Sequence, residues 1–288
     1  MSSPPVILIT GASTGIGLTC ALRFDRLGWR VFAGVRREAD AVRLRESGSG
    51  RLVPVLLDVT DQASIAAAVA VVADAVGPAG LAALVNNAGI AEAGPLEFLP
   101  LETLRRMHEV NVVGLLAVTQ ACLPLIRRAR GRIVNMGSIS GRTASPFVGP
   151  YCASKHAVEA LTDVLRLELD EWGIQVAVIE PGMIETPIWE KGEAAARAQR
   201  QQLSAEAEAL YGSAMDAFQR MIRPAIARAG SPEQVADAVE HAVTAGEPRT
   251  RYLVGRDARL RLMLRRLLPD RAMDGLVLSL LRRARGSS

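Results

Sequence analysis

The sequence predicts a doubly wound α/β fold with a seven-stranded parallel sheet. Short runs rich in Val, Ile and Leu alternate with longer stretches of helical period, as in consecutive βαβ units. Most of these runs are apolar at nearly every position, which is typical of parallel strands covered by helices on both faces. One large α/β domain can take up the 288 residues, and we expect a single domain over 1–288.

Seven strands are predicted in order along the chain. Helical stretches separate the first six, and the seventh follows after a longer gap. The predicted strands are 6–10, 30–35, 52–57, 83–86, 132–136, 175–180 and 251–254.

Two segments depart from this alternation. The segment 186–231 is rich in Ala, Gln, Glu and Arg at helical spacing, with Gly192, Gly212 and Gly230 as its breaks. It follows the carboxyl end of the sixth strand, where ligands bind in open α/β sheets, so we expect a helical substrate lid. A solvent-exposed helical pair is the alternative.

The second segment is the C-terminal tail, 257–288, in which leucines interleave with arginines. Such a basic amphipathic tail can cover a substrate pocket, pack on a partner subunit or lie on an anionic membrane surface. We expect packing, with peripheral membrane contact as the alternative.

The composition argues against several other classes of protein. Arginine is spread along the chain and aromatic residues make up only 4%, so a net charge of +4 does not indicate a nucleic-acid partner. Charges interrupt every apolar stretch before about 18 residues, and we expect neither a transmembrane helix nor a signal peptide. Three separate cysteines and three scattered histidines suggest a reducing cytoplasm and no metal site.

A glycine turn follows the first predicted strand directly. The sequence Thr10-Gly11-Ala12-Ser13-Thr14-Gly15-Ile16-Gly17 then opens a helical stretch. Glycine permits positive φ and close backbone approach, and a helix N-terminus presents free N–H groups to a pyrophosphate. The order of strand, turn and helix predicts a Rossmann-type dinucleotide site, with a purely structural turn as the alternative.

Tyr151 and Lys155 are four residues apart on a predicted helix, so their side chains share one face. A free tyrosine has a pKa near about 10, and we expect the neighbouring ammonium to lower it. Lys155 and Lys191 are the only lysines in a chain that otherwise uses arginine, whose planar guanidinium does not replace a compact ammonium. The pair predicts acid–base chemistry, with a surface helix-capping pair as the alternative.

These motifs resemble those of the short-chain dehydrogenase/reductase family. The turn at 10–17 is similar to the family's TGxxxGIG motif, and 86–89 is similar to its NNAG segment. The positions of Ser138, Tyr151 and Lys155 match the family's Ser-x12-Tyr-x3-Lys spacing. The resemblance covers about 6–254. It implies hydride transfer between a nicotinamide cofactor and an alcohol or carbonyl compound, with Tyr151 exchanging the proton on oxygen.

The resemblance also implies individual catalytic roles. Ser138 would hold the substrate oxygen, and Lys155 would also bond the nicotinamide ribose. Asn111 would anchor a water that links the lysine to solvent, with a locally bonded helix-interior asparagine as the alternative.

Cofactor contacts follow from the same resemblance. Asp58 would contact the adenine, and 86–89 would line the adenosine ribose. The family's PGxIxT segment is similar to Pro181-Gly182-Met183-Ile184-Glu185-Thr186. By this resemblance, Ile184 would fix the carboxamide and Thr186 would approach the nicotinamide and phosphates. The predicted cofactor residues are Gly11, Ser13, Thr14, Gly15, Ile16, Gly17, Arg36, Asp58, Val59, Asn86, Asn87, Ala88, Gly89, Tyr151, Lys155, Pro181, Gly182, Ile184 and Thr186.

The end of the second strand bears on the choice between NADP and NAD. The sequence there is Val35-Arg36-Arg37, with no acid to bond a ribose 2′-hydroxyl. Arg36 can form charge-assisted hydrogen bonds to a 2′-phosphate, so we predict NADP, with NAD as the alternative. Against NADP, Thr14 lacks the basic character that many NADP-binding relatives have at this position.

Finer features resemble the retinol, 3-hydroxybutyrate and hydroxysteroid dehydrogenase-like branches of the family. They are Val31-Phe32-Ala33-Gly34, Leu57-Asp58-Val59-Thr60 and Gly149-Pro150-Tyr151-Cys152-Ala153-Ser154-Lys155. The substrate expected is a small apolar alcohol or carbonyl compound that is retinoid-, steroid- or lipid-like. The alternatives are a broad-specificity carbonyl reductase and a non-catalytic cofactor-binding sensor. Family members pair through the helices around the fifth strand, which implies a homodimer or homotetramer.

Overall fold

A computed structural model describes residues 4–286, except for the side chains of 188–191 and 193–195. Seven strands form one parallel sheet. The strands are β1 (Val6–Ile9), β2 (Arg30–Val35), β3 (Leu52–Leu56), β4 (Ala83–Asn86), β5 (Arg132–Met136), β6 (Gln175–Pro181) and β7 (Arg251–Val254). Their spatial order is β3-β2-β1-β4-β5-β6-β7, so the predicted fold class is confirmed.

Helices connect the strands and cover both faces of the sheet. Those of the described chain are α1 (Gly15–Arg26), α2 (Glu38–Ser47), α3 (Gln62–Val76), α4 (Leu101–His108), α5 (Gly114–Ala129), α6 (Gly149–Glu168), α7 (Ile188–Gln201), α8 (Ala205–Ile226), α9 (Pro232–Thr244), α10 (Arg256–Leu267) and α11 (Asp270–Arg285). A π-helical segment, Glu109–Val113, joins α4 to α5.

The sheet order places a topological switch point beside β1. Leu8 of β1 pairs with Phe32 of β2 on one side and with Leu84 of β4 on the other. The connections therefore run in opposite directions from β1 and β4, which leaves a crevice beyond their carboxyl ends where ligands bind in such sheets.

Two apolar layers hold the helices on the sheet. On one face, Ile9 packs with Phe24 of α1 and Val239 of α9, and on the other, Leu8 packs with Val72 of α3 and Val118 of α5. Alternate residues of a strand point to opposite faces, and the strands β1 to β6 contribute to both layers.

Two helical stretches meet the length and composition of a membrane span, although charges such as Asp74 and Glu109 interrupt them. They are Gln62–Ala79 and Leu101–Ala129. Each places apolar side chains on the sheet, with Val72 and Val118 fully buried. The core helices of a soluble domain pass the same test.

The segment 186–231 contains the helices α7 and α8, but the predicted breaks at Gly192 and Gly212 are wrong. Gly192 lies inside α7 and Gly212 inside α8. The turn between the helices is at 202–204, where Ser204 Oγ accepts a hydrogen bond of 3.1 Å from the Ala207 N–H. A serine cap satisfies a free N–H at the helix start, whereas a single glycine only weakens a helix.

The tail forms α10 and α11, and both pack on the rest of the molecule. Ala258 and Leu262 of α10 are buried with Ile139, and Leu281 of α11 is buried with Phe218 of α8. Residues 287 and 288 of the predicted tail lie outside the described residues.

Candidate active site

One cavity of about 1470 Å³ lies at the carboxyl edge of the sheet and collects most of the predicted site residues. Its walls come from the glycine turn, the loops after β2 to β6, and the helices α8, α10 and α11. The predicted residues that line it are Gly11, Ser13, Thr14, Gly15, Ile16, Arg36, Asp58, Val59, Asn87, Ala88, Gly89, Ser138, Tyr151, Lys155, Pro181, Gly182, Ile184 and Thr186.

The glycine turn forms a shallow backbone cradle at the start of α1. Gly11 and Gly15 have φ angles of 64° and 57°, which L residues with a side chain rarely adopt. A Cβ atom at Gly11 would lie 2.8 Å from the Ala88 Cα, and one at Gly15 would lie 3.2 Å from Thr186. Glycine is therefore required at both positions for conformation and for space.

The loop after β4 is fastened to this turn by hydrogen bonds. Thr10 Oγ1 accepts from the backbone N–H groups of Asn87 and Ala88, both at 2.9 Å. The Asn87 amide donates to the carbonyls of Thr10 and Gly11, both at 3.0 Å. The two loops therefore form one rigid wall of the cavity.

Direct cofactor contact was predicted for Gly17 and Asn86, and their positions correct this prediction. Gly17 lies behind the cradle, where a Cβ atom would collide with the Asn87 side chain and the Gly11 carbonyl. Asn86 is buried and donates to Thr119 Oγ1 at 2.8 Å and to Asn135 Oδ1 at 2.9 Å. Both residues support the wall instead of lining the cavity.

Ser138, Tyr151 and Lys155 meet on the opposite wall, between β5 and β6. Ser138 follows β5, and its hydroxyl accepts from the Ser140 N–H at 3.1 Å. Lys155 Nζ donates to the Met136 carbonyl at 2.7 Å and lies 5.7 Å from the centre of the Tyr151 ring. The spacing in the sequence thus produces one cluster of a hydroxyl, a phenol and an ammonium.

The protonation of this cluster differs from the expectation. Burial raises the pKa of Tyr151 to about 12, although the Ser138 hydroxyl acts in the opposite direction. Lys155 was expected to lower this pKa, but its ammonium bonds the Met136 carbonyl and not the phenol. Burial also lowers the pKa of Lys155 to about 8, against the attraction of Glu159.

Asn111 lies in the π-helical segment and does not line the cavity. Its amide nitrogen donates to the Ile90 carbonyl at 2.9 Å and to Ser154 Oγ at 3.0 Å. Its amide oxygen accepts from the Ile90 N–H at 2.8 Å. These bonds hold the loop at Gly89. If Gly89 carried a Cβ atom, that atom would lie 3.2 Å from Asn111 Oδ1. Asn111 therefore acts on this loop, and its bonds run to residues 21 and 43 positions away instead of to its own helix.

A network of buried charges lies beneath the cluster. The Glu180 carboxylate pairs with Arg142 at 3.1 Å and with Arg251 at 3.3 Å. Burial and the nearby Glu180 raise the pKa of Glu159, which lies one helical turn after Lys155. This network could not be predicted from the sequence, because its members become neighbours only when β6, β7 and α6 pack together.

The far end of the cavity contains Arg36 and Asp58. Arg37 bonds Asp40 at 2.9 Å, whereas Arg36 is exposed and makes no ion pair within the described part of the chain. Burial acts to raise the pKa of Asp58, but hydrogen bonds from Thr60 and the charge of Arg36 outweigh it and hold this pKa low. Arg36 is thus a free cation beside the carboxylate predicted to contact adenine.

Comparison with known proteins identifies the family. A family model described as short chain dehydrogenase matches residues 5–197, which is more than half of the chain. The chain belongs to the short-chain dehydrogenase family. It is therefore an NAD(P)-dependent oxidoreductase, as its motifs predicted.

Curated relatives place this short-chain dehydrogenase in the predicted branch. Retinol dehydrogenase 16 of Mus musculus is 40% identical over 276 residues, which cover 94% of this chain and 87% of the mouse protein. The 17-beta-hydroxysteroid dehydrogenase type 6 of Bos taurus is 40% identical over 273 residues, which cover 93% of this chain and 86% of the bovine protein.

Solved structures share the fold over almost the whole length. A short-chain dehydrogenase from Streptomyces avermitilis has a TM-score of 0.77 at 28% identity and covers 100% of both chains. One from Burkholderia cenocepacia J2315, in complex with NADP, has a TM-score of 0.72 at 26% identity and covers 96% of this chain and 99% of its own.

Asp257 is a site residue of this short-chain dehydrogenase that the sequence analysis missed. It lies in the first turn of α10, lines the cavity, and accepts a hydrogen bond of 2.9 Å from the Met183 N–H. A Cβ atom at Gly182 would collide with its carboxylate. The tail therefore fixes the loop at 181–186. The signal in the sequence is an acid three residues after the end of the seventh strand.

The apolar part of the cavity wall also comes largely from regions outside the family motifs. Helices α8, α10 and α11 supply bulky side chains on the side away from the glycine turn. Those lining the cavity are Met215, Phe218, Met221, Ile222, Leu260, Leu264, Met273, Leu276, Val277 and Leu280. The tail of this short-chain dehydrogenase thus helps to form the cavity.

Proposed function

We propose that this enzyme interconverts an apolar secondary alcohol and ketone, or an apolar alcohol and aldehyde, with Tyr151 exchanging the proton on the reacting oxygen. One observation carries the proposal: Ser138, Tyr151 and Lys155 line the same cavity as the glycine cradle and a wall of bulky apolar side chains. A hydride acceptor, a proton carrier and an apolar substrate can therefore meet in one place.

The residues present fit a nicotinamide dinucleotide. Gly11 and Gly15 line the cavity at the start of α1, and the first turn of α1 has N–H groups that the Thr14 side chain does not cap. The cradle would hold the pyrophosphate, while Asp58 and 87–89 would line the adenosine and 181–186 the nicotinamide. When bound, this cofactor supplies or accepts the hydride.

The chain's own residues handle the proton. Ser138 orients the substrate oxygen, and the phenol of Tyr151 donates a proton to it during reduction or accepts one during oxidation. A pKa of Tyr151 raised to about 12 keeps the phenol protonated at neutral pH, which suits a proton donor. The Lys155 ammonium, 5.7 Å from the centre of the Tyr151 ring, would stabilise the phenolate that remains after the proton is transferred.

The substrate class rests on the cavity wall and on the relatives. Phe218, Leu264 and Leu276 come from three different helices and give the wall an apolar surface suited to a retinoid or a steroid. Relatives named retinol dehydrogenase and 17-beta-hydroxysteroid dehydrogenase agree with this class.

A substrate screen tests the proposal. Purified enzyme would be assayed with both nicotinamide cofactors against retinol, retinal, 17-hydroxy and 17-oxo steroids, and matched small polar alcohols. We expect turnover of at least one apolar class, with kcat/KM at least 100-fold above that for the polar alcohols. Equal activity on all carbonyl compounds would favour a broad-specificity carbonyl reductase, and cofactor binding without any turnover would favour a sensor.

We further propose NADP as the preferred cofactor. Arg36 is exposed, lines the cavity and has no ion-pair partner among the described residues, so it can receive a 2′-phosphate. The related Burkholderia structure contains NADP. We expect NADP to bind at least tenfold more tightly than NAD by calorimetry, and Arg36→Leu to remove most of this difference. Tighter binding of NAD would contradict the assignment.

We also propose that the enzyme is a cytoplasmic homo-oligomer. Cys20, Cys122 and Cys152 are buried and unpaired, which suits a reducing compartment. Leu167 of α6 and Val113 beside α5 are exposed on the helices through which family members pair. Sedimentation velocity should give a dimer or tetramer, and a monomer at micromolar concentration would contradict this proposal.

A further inference from the structure

Arg261 is a cation in the cavity wall without an acidic partner. It lies on α10, and its Nη2 donates to Thr143 Oγ1 at 2.8 Å and to Ser145 Oγ at 2.9 Å. Across the described residues, no carboxylate lies within ion-pair distance of it. Arg142 and Arg251, which are also partly buried, both contact carboxylates.

The guanidinium of Arg261 is poorly solvated. Burial lowers its pKa, against the attraction of Cys152 and Asp257, yet a guanidinium remains charged in a protein. A partly buried charge without a counter-ion is costly unless something else pairs with it. Its Nε and Nη1 make no hydrogen bond within the described chain, neither nitrogen is fully buried, and Arg261 lines the cavity.

The nearest acid is already engaged elsewhere. Asp257 lies one helical turn before Arg261, and its carboxylate bonds the Met183 N–H. Thr143 and Ser145 belong to the loop between Ser138 and Tyr151, and the charge of Arg261 acts on Cys152, which follows Tyr151. The guanidinium is therefore fixed close to the catalytic cluster, with its free donors available to a ligand.

We propose that Arg261 binds a carboxylate carried by an otherwise apolar substrate. The inference rests on the proposed function, because that function makes this cavity the substrate site. Leu260 and Leu264 flank Arg261 on α10 and line the same cavity, so the carbon skeleton would lie on them while the carboxylate meets the guanidinium. Among apolar alcohols and carbonyl compounds, the enzyme should therefore prefer hydroxy or oxo acids with a large apolar skeleton.

Matched acids and esters test this inference. A series of oxo-octadecanoic acids that differ in ketone position, each with its methyl ester, would be reduced by the purified full-length enzyme with NADPH. At the best position we expect kcat/KM for the acid to exceed that for the ester at least tenfold. Arg261→Leu and Arg261→Gln should bring this ratio close to one, and Arg261→Lys should retain part of it.

Arg259→Leu is the matched control, since it removes an exposed cation from the same helix and should keep the parent ratio. Arg261→Gln retains a hydrogen-bond donor for Thr143 and Ser145. It therefore tests whether the positive charge causes the acid preference, even if Arg261→Leu folds poorly. A purely structural Arg261 would lower the rates for acid and ester by the same factor. Equal kcat/KM for acid and ester in the parent enzyme, or an acid preference that survives in both variants, would overturn the inference.

Calorimetry separates this inference from the proposed function. If neither compound is reduced, the proposed reaction fails for this series, and binding to the cofactor-loaded enzyme decides the question of the carboxylate site. Tighter binding of the acid that is lost in Arg261→Gln would support the site. Equal affinities, or no binding of either compound, would overturn it.

Discussion

Lys155 is a buried cation whose hydrogen-bond partner is a carbonyl. Its Nζ bonds the Met136 oxygen at 2.7 Å, and the side chain is only 5% exposed. Burial lowers its pKa from the usual 10.5 to about 8. The protein therefore retains this charge at neutral pH at a cost in stability, in the place where the proposed mechanism uses it.

The pH dependence of stability tests this description. The folded pKa of Lys155 is below the unfolded value, so the unfolded chain binds more protons between about pH 8 and 10.5, and stability rises with pH there. The cost is fully present below pH 8. Relative to Lys155→Met, the parent enzyme should gain up to about 3 kcal/mol of unfolding free energy across this window. Urea titrations of both proteins at several pH values measure it, and a constant difference would contradict the lowered pKa.

The sequence predicted the identity of these residues but not their protonation. The spacing of Ser138, Tyr151 and Lys155 on a strand end and one helix face is a local property. The pKa of Tyr151 depends instead on burial by distant parts of the chain, so the direction predicted from the sequence is wrong.

The loop at 181–186 depends on α10, an element far away in the sequence. The Asp257 carboxylate accepts from the Met183 N–H and packs against Gly182. This bond connects the tail to the segment predicted to hold the nicotinamide.

Replacing Asp257 should therefore loosen cofactor binding. Asp257→Ala removes the acceptor of a partly buried N–H, which should lower the unfolding free energy by about 1–3 kcal/mol. We expect the Kd for the cofactor to rise at least threefold, measured by calorimetry. Asp270→Ala is the control, because Asp270 is exposed and, among the described residues, forms an ion pair only with Arg265 at the surface. Equal cofactor affinity in the parent and Asp257→Ala would show that the bond does not support the loop.

Among the helices and strands, the strand positions were predictable, because continuous apolar runs mark buried parallel strands. The break between α7 and α8 was not, since the Ser204 cap decides it while the glycines stay inside the helices. The role of Gly17 and Asn86 as supports also depends on contacts between separate loops.

The cavity as a whole is completed by α8 and the tail. Leu281 of α11 is buried with Phe218 of α8, and both helices present other apolar side chains to the cavity. An amphipathic tail is visible in the sequence, but which apolar surface it covers depends on the position of α8 after folding.

Detaching α11 should therefore damage the substrate side of the cavity only. Leu281→Asp places a charge in the buried contact with α8, and we expect KM for an apolar substrate to rise at least fivefold. The Kd of the cofactor should stay within twofold, since the glycine cradle lies on the other side of the cavity. Leu278→Asp, at a position that is 46% exposed, is the control and should behave like the parent. An unchanged KM in Leu281→Asp would show that α11 does not shape the substrate site.

The kcat of Tyr151→Phe tests the central claim most directly. The variant keeps the ring and removes only the hydroxyl that exchanges the proton. We predict a loss in kcat of at least 100-fold, the usual contribution of a general acid or base, with the cofactor Kd within threefold of the parent. Tyr252→Phe removes the hydroxyl of a buried tyrosine that lies outside the cavity, and it should keep kcat near the parent value. Parent-like kcat in Tyr151→Phe would contradict the assignment of Tyr151 as the proton carrier.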